Sequence, residues 1–302
     1  MNRYLVIGSK GFIGSNLVDR LSQDKKEVFG VDVVVDYEAG DSYYLVDASN
    51  ADYRHIFESQ TYDVCVNCSG AASVPDSLTS PFRDFSLNTV NVFKILESIR
   101  TIQPTCRFIN LSSAAVYGNP TTLPISEDSL TAPISPYGYH KKASETICEE
   151  FHRYFGLRTC SLRIFSAYGE GLRKQLFWDL YKKACTQEHV TLFGTGDESR
   201  DFIYIDDLIS AIRLAAEHSA YEADIVNVAN GEEVFLRDCV SLFYGLFEKK
   251  IQYSFSGQPR SGDPDNWVAD ISRLSALGYR QSYSLKEGLE RFYKWIRSIE
   301  KK

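Results

Sequence analysis

No apolar run in this 302-residue chain approaches the roughly 18 residues of a membrane-spanning helix, so no span is expected. No charged segment followed by a hydrophobic one precedes the first apolar run, Arg3-Tyr4-Leu5-Val6-Ile7. A signal peptide is therefore not expected, and the cytoplasm is the expected location. Positive charge is not in excess either. The formal net charge is −7, which argues against a broad nucleic-acid-binding surface. A disulfide framework is lacking as well: the seven cysteines are odd in number and scattered through apolar runs. Cys65 and Cys68 form a C-x-x-C, but no second Cys or His pair stands at zinc spacing, and buried strand-end thiols are expected there. Internal repeats, low-complexity tracts and flexible linkers are absent too.

What the chain does have is alternation. Strands are expected near 3–7, 27–33, 43–46, 63–67, 105–110 and 157–163. Helices are expected near 12–24, 51–59, 81–100, 136–154, 172–187 and 285–299. Val28-Phe29-Gly30-Val31 and Phe108-Ile109-Asn110-Leu111 are continuous rather than alternating, as in strands buried on both faces. This order predicts an α/β, doubly wound parallel sheet. After about residue 166 the elements shorten and turns intervene, which predicts a smaller C-terminal lobe.

Gly8, Gly11 and Gly14 form G-x-x-G-x-x-G directly after the first strand and at the start of a helix. Missing side chains let backbone approach a pyrophosphate, and the helix N-terminus offers free N–H groups. Asp32 ends the second strand, 18 residues beyond Gly14. Its carboxylate suits the adenosine ribose hydroxyls and repels a 2′-phosphate, which favours NAD over NADP. Lys10, inside the glycine turn, pulls the other way unless it is simply solvated, and Asp32 outweighs it. Asp47 follows the third strand and suits either the adenine amino group or a helix cap before residue 51.

Ser135-Pro136-Tyr137-Gly138-Tyr139-His140-Lys141 has the N-cap and first-turn chemistry of a helix start. Tyr137 and Lys141, four apart, share one helix face. A phenol titrates near 10, too high for a base at neutral pH. A neighbouring ammonium favours phenolate, and bringing the phenol to about 7 takes roughly 4 kcal/mol. Tyr139 lacks such a cation, and His140 reads as an ordinary helix residue. Ser112 and Ser113 end a central strand, where a hydroxyl either serves a turn or orients a proton at the crevice.

Together and in this order, these pieces resemble the extended short-chain dehydrogenase/reductases, and among them the NAD-dependent sugar epimerase/dehydratase family, in a form like UDP-glucose 4-epimerase. Further anchors are Asn67 to Ala71, Ser112 to Gly118, Leu162 to Phe165, Arg200 to Asp207 and Pro259 to Asp263. The resemblance implies Tyr137 as acid/base, Lys141 as its tuning cation and ribose ligand, and Ser113 as the third catalytic residue. It implies that Lys10, Phe12, Ile13 and the three glycines, Asp32, Asp47, Ala48, Ser69, Gly70, Ala71, Asn88 and Phe165 surround NAD with Tyr137 and Lys141. Ser113, Ser166, Arg200 and Arg260 would meet a nucleotide sugar, the arginines gripping its diphosphate. The implied division is a Rossmann domain over 1–165 with a return segment near 205–230. Residues 166–204 and 231–302 then form the sugar-nucleotide lobe. A homodimer through the helices near 81–100 and 136–154 is implied, with Phe93, Ile95, Leu96 and Ile99 available either to that face or to the core.

Two departures from the family pattern bear on the reaction. Ser166 stands where many relatives have Asn. Ala114-Ala115 stands where 4,6-dehydratases carry Asp-Glu, and decarboxylases carry Glu at the second position. Alanine supplies no acid or base, so epimerisation by transient C4 oxidation is expected. A 4-keto-sugar reductase or C4 dehydrogenase is the alternative, and a non-catalytic NAD-binding regulator is the reading from another class.

Overall fold

The first strand sorts the core. In the computed structural model, which describes residues 3–38, 40–259 and 262–300, β1 spans Arg3–Ile7. Tyr4 and Val6 enter one hydrophobic cluster, and Leu5 and Ile7 enter another on the opposite face. That split is the period-2 geometry of a strand covered on both sides. The sheet continues with β2 (Glu27–Asp32), β3 (Tyr43–Leu45), β4 (Val64–Asn67), β5 (Arg107–Ser113), β6 (Thr159–Ile164) and β7 (Glu222–Val228). All pairs are parallel, in the order β7-β6-β5-β4-β1-β2-β3. This is a Rossmann-type doubly wound sheet. The chain builds outward from β1 to β3, then returns to β1's other flank to start β4. The crevice at that reversal lies beyond the carboxyl ends of β1 and β4, where Gly8 and Ser69 stand.

The long helices are α1 (Phe12–Gln23), α2 (Asn91–Ile102), α3 (Pro136–Phe155), α4 (Gln175–Thr186), α5 (Ile205–His218) and α6 (Leu285–Glu300). α3 begins as its sequence dictates: Ser135 Oγ accepts the Gly138 N–H at 3.2 Å, and Pro136 occupies the first turn. Gly156, at φ 68°, ends it.

Three expectations need correction, and one open choice is resolved. The helix expected over 81–100 is Pro81–Phe85, a π-helical turn over Ser86–Val90, then α2. The strand expected to end at 110 runs to Ser113, because Ser112 and Ser113 pair with Arg163 and Ile164 of β6 despite their polarity. α4 starts at Gln175 rather than 172. Ile95, Leu96 and Ile99 are fully buried core residues and unavailable to a partner, while Phe93 remains exposed.

Beyond β6, short two-stranded pairs replace the large sheet: Ser166–Tyr168 with Phe202–Tyr204, and His189–Leu192 with Gln252–Phe255. Their apolar faces join the cluster containing Tyr4 and Val6, along with Phe243, Phe292 and Ile296. The C-terminal elements thus share one core with the sheet. Among the described residues no helix is long and apolar enough to cross a membrane.

Candidate active site

The glycine turn depends on absent atoms. Gly8 has φ +80°, and a Cβ there would lie 2.6 Å from the Ser69 nitrogen. A Cβ on Gly14 would lie 2.0 Å from the Gly8 carbonyl oxygen, so α1 packs directly on the turn. Gly11 is exposed and caps α1 with no side-chain hydrogen bond, leaving the first N–H groups of the helix for an anion. Phe12 and Ile13, half-buried, form the first helical residues.

Asp32 is fixed at the end of β2. Its carboxylate accepts the Lys10 N–H at 2.8 Å and the Val33 N–H at 2.7 Å. Asp47 is exposed beside Ala48. Its Oδ1 accepts the Ser49 N–H at 2.6 Å and the Ser49 hydroxyl at 2.5 Å, which holds its carboxyl below the usual range. It closes a local turn rather than capping the next helix, which starts at Arg54 with Tyr53 as N-cap.

Across the crevice Ser69 donates to Asn67 Oδ1 at 2.6 Å, and Ala71 is half-buried. Gly70 has φ +122°, and a Cβ there would meet Asn88 Oδ1 at 2.5 Å and Lys141 Nζ at 3.6 Å. Asn88 sits in the π-helical turn, 1% exposed, yet neither its Oδ1 nor its Nδ2 has a hydrogen-bond partner among the described residues. Leaving such atoms unpaired costs about 1–3 kcal/mol, and π turns gather at functional sites. A dinucleotide with polar ribose hydroxyls fits this set: a bare helix N-terminus, a carboxylate at the end of β2 and an unpaired buried amide.

The candidate catalytic corner joins β5 to α3. Ser112 and Ser113 part company here. Ser112 donates to Glu145 Oε1 at 2.5 Å, deep in the protein, while Ser113 accepts the Ala115 N–H at 3.2 Å and stands near enough to Tyr137 to favour its phenolate. Lys141, 6% exposed, donates to the Leu111 carbonyl at 2.8 Å, and its Nζ lies 5.9 Å from the Tyr137 ring centroid. A Cβ on Gly138 would be 2.5 Å from the Ala115 carbonyl oxygen, so this glycine lets α3 close onto the turn that follows β5.

The electrostatics differ from the sequence expectation. Burial pushes the Tyr137 phenol up to about 12; the Ser113 hydrogen bond pulls it down, and the Asp84 charge adds to the rise. Burial lowers the Lys141 ammonium to about 8, against support from Asp84, Glu145 and Cys68. Desolvation therefore sets the direction of the phenol's shift.

Sequence reasoning missed two groups. His140 is not an ordinary helix residue: its Nδ1 meets Asp84 Oδ2 at 2.5 Å, and Asp84 is 2% exposed. No local signal pairs residues 56 apart. Arg163 donates to both Glu145 oxygens at 3.0 and 2.8 Å and to the Tyr117 hydroxyl at 2.8 Å, locking α3 to β6. Its charge match with Glu145 was visible, but not its burial.

On the C-terminal side Phe165 is buried between Tyr117 and Trp267, with ring centroids 6.3 and 5.9 Å away. Ser166 is half-buried, its N–H given to the Asp201 carbonyl. Arg200 lies 5.8 Å from the Trp267 ring and donates to the Ser199 and Asp265 carbonyls. Asp201 is a fastener: fully buried, it accepts N–H groups from Asn230, Gly231 and Ala269. Arg260 lies outside the described residues. Cys65 is buried in β4, and burial raises its thiol well above the ordinary value.

A sequence model of the NAD dependent epimerase/dehydratase family matches residues 4–229. The chain belongs to that family. Its cofactor is NAD. The chain is 27% identical to a putative UDP-glucose 4-epimerase of Methanocaldococcus jannaschii, over 97% of its own length and 98% of the relative. It superposes with TM-score 0.88 on UDP-glucuronic acid 4-epimerase of Bacillus cereus solved with UDP-glucuronic acid and NAD, at 28% identity, covering 98% and 99% of the two chains. UDP-N-acetylglucosamine 4-epimerase of Methanobrevibacter ruminantium, with UDP-N-acetylmuramic acid, also gives 0.88 at 26% identity, covering 99% of each chain.

Proposed function

We propose that this NAD-dependent nucleotide-sugar epimerase inverts C4 of a UDP-linked hexose or hexuronic acid. The observation that carries the reading is the corner that gathers Ser113, Tyr137 and a Lys141 anchored on Leu111, in a chain that matches UDP-sugar 4-epimerases along nearly its whole length. Bound NAD supplies a reversible hydride acceptor for C4 and a positive charge that favours phenolate. Tyr137 then takes the C4 hydroxyl proton and later returns it. Ser113, beside the phenol, orients that hydroxyl. Lys141 holds the nicotinamide ribose and supplies positive charge beside the phenol. Ala114 and Ala115 are buried and carry no acid or base, so elimination of water has no proton donor at these positions.

The segment 1–165, with the return near 205–230, holds the cofactor, Asp32 on the adenosine ribose and Asn88 near the nicotinamide half. Residues 166–204 and 231–302 hold the sugar nucleotide, with Ser166, Arg200 and Arg260 toward the diphosphate. The enzyme is a homodimer through the helices near 81–100 and 136–154, along which Phe82, Phe93, Tyr139, Tyr154 and Phe155 are exposed. Such an apolar surface suits a second copy. Seven cysteines free of disulfides suit the reducing cytoplasm. The product is a donor for polysaccharide synthesis.

Incubation with UDP-glucose, UDP-galactose, UDP-glucuronic acid and UDP-N-acetylglucosamine tests the reading. A C4 epimer without net NADH is expected. Stoichiometric NADH production or consumption would instead identify a dehydrogenase or reductase.

A further inference from the structure

NAD and NADP differ by one 2′-phosphate, and this chain carries contradictory signals for it: Asp32 repels that group and Lys10 attracts it. We propose that Asp36 resolves the conflict as a specificity-determining residue, by holding the Lys10 ammonium away from the 2′ position. The Lys10 side chain leaves the glycine turn and forms an ion pair with Asp36 Oδ2. Its Nζ also lies 4.9 Å from the centroid of the Tyr43 ring. Tyr43 is itself held in place, its hydroxyl donating to the Val34 carbonyl. The lysine is thus gripped from two sides, by Asp36 in the loop after β2 and by Tyr43 at the start of β3, while its own backbone N–H is spent on Asp32.

The charge count follows. Asp32 and Asp36 together carry two negative charges, and Lys10 returns one positive charge. A phosphate at the 2′-hydroxyl then meets a net negative corner with its cation already paired. Neutralising Asp36 leaves one carboxylate and one free ammonium on a flexible four-carbon stem, which can turn to the phosphate. The position of Asp36, four residues beyond the ribose-binding carboxylate, makes it an electrostatic latch on a cation that otherwise suits the phosphorylated cofactor.

The test is direct dinucleotide binding, which needs no sugar substrate and so stands apart from the proposed epimerisation. NADP is titrated against the purified protein loaded with fluorescent NADH, and NAD is titrated in parallel. In Asp36→Asn and Asp36→Ser, NADP affinity is expected to rise about tenfold while NAD affinity changes less than about threefold. In Asp36→Asn/Lys10→Met the gain is expected to vanish, and in the single variants it should shrink as salt is raised. Unchanged NADP affinity in both Asp36 variants would overturn the proposal. So would a gain that persists without Lys10, since relief of repulsion alone would then explain it.

Discussion

The glycine turn after β1 is made of side chains that are missing, whereas the corner between β5 and α3 is made of side chains buried together. In the turn, Gly8 and Gly14 have no room for a Cβ, and the binding groups are backbone N–H donors at a helix N-terminus. In the corner, Lys141 is 6% exposed and both Tyr137 and Lys141 are shifted by burial away from their ordinary ionisation. The first design resists changes of side-chain chemistry and fails on any added atom. The second tolerates little change in chemistry, because each charge depends on its neighbours.

This contrast sets the order of expected effects. Tyr137→Phe removes the proton acceptor, so kcat should fall by about 10²- to 10⁴-fold. Bound NAD should stay, because the glycine turn is untouched; ultraviolet spectra of the purified variant check this. Gly14→Ala should do the reverse. Its Cβ falls 2.0 Å from the Gly8 carbonyl oxygen, and the forced shift costs about 1–3 kcal/mol. NAD content and Tm should both drop while Tyr137 chemistry survives in whatever fraction retains cofactor.

Asp84→Asn acts only on the corner. Asp84 supports the Lys141 ammonium, which burial has lowered to about 8. The ammonium is present below that pH and lost above it. Removing the carboxylate lowers the transition further, so the alkaline limb of kcat should move to lower pH with kcat at pH 6 little changed. A pH–rate profile reads this, and an unmoved limb would show that Asp84 only shapes the helix. The smallest effect expected is that of Ser166→Asn. One added hydrogen-bonding group toward the diphosphate should lower KM by roughly two- to tenfold at constant kcat.

The two regions also differed in legibility. The turn is local: strand, three glycines and the Asp32 carboxylate lie within the first 32 residues, and all sit where the sequence placed them. Six strands of the sheet were readable from short apolar runs such as Tyr4 to Ile7 and Val64 to Val66, which are buried on both faces of the sheet. The seventh, Glu222–Val228, entered only as a return segment, since its first four residues are not fully buried. The corner was legible only in part. Tyr137 and Lys141 share a helix face and were visible. Asp84 and His140 were not, because they meet only once Pro81–Phe85 packs on α3. The π-helical turn around Asn88 left no mark in a pattern that reads as one continuous helix. The desolvation of Tyr137 was hidden for a related reason. The lysine was countable in the sequence, but the desolvation that opposes it arises only from the fold.

Whether hydride returns to the sugar it left is tested by a UDP-sugar carrying deuterium at C4. The C4 epimer should retain the deuterium at C4, with no net NADH at any time. Loss of the label to a cofactor pool, or product formed only with stoichiometric NADH turnover, would contradict epimerisation by transient oxidation at C4.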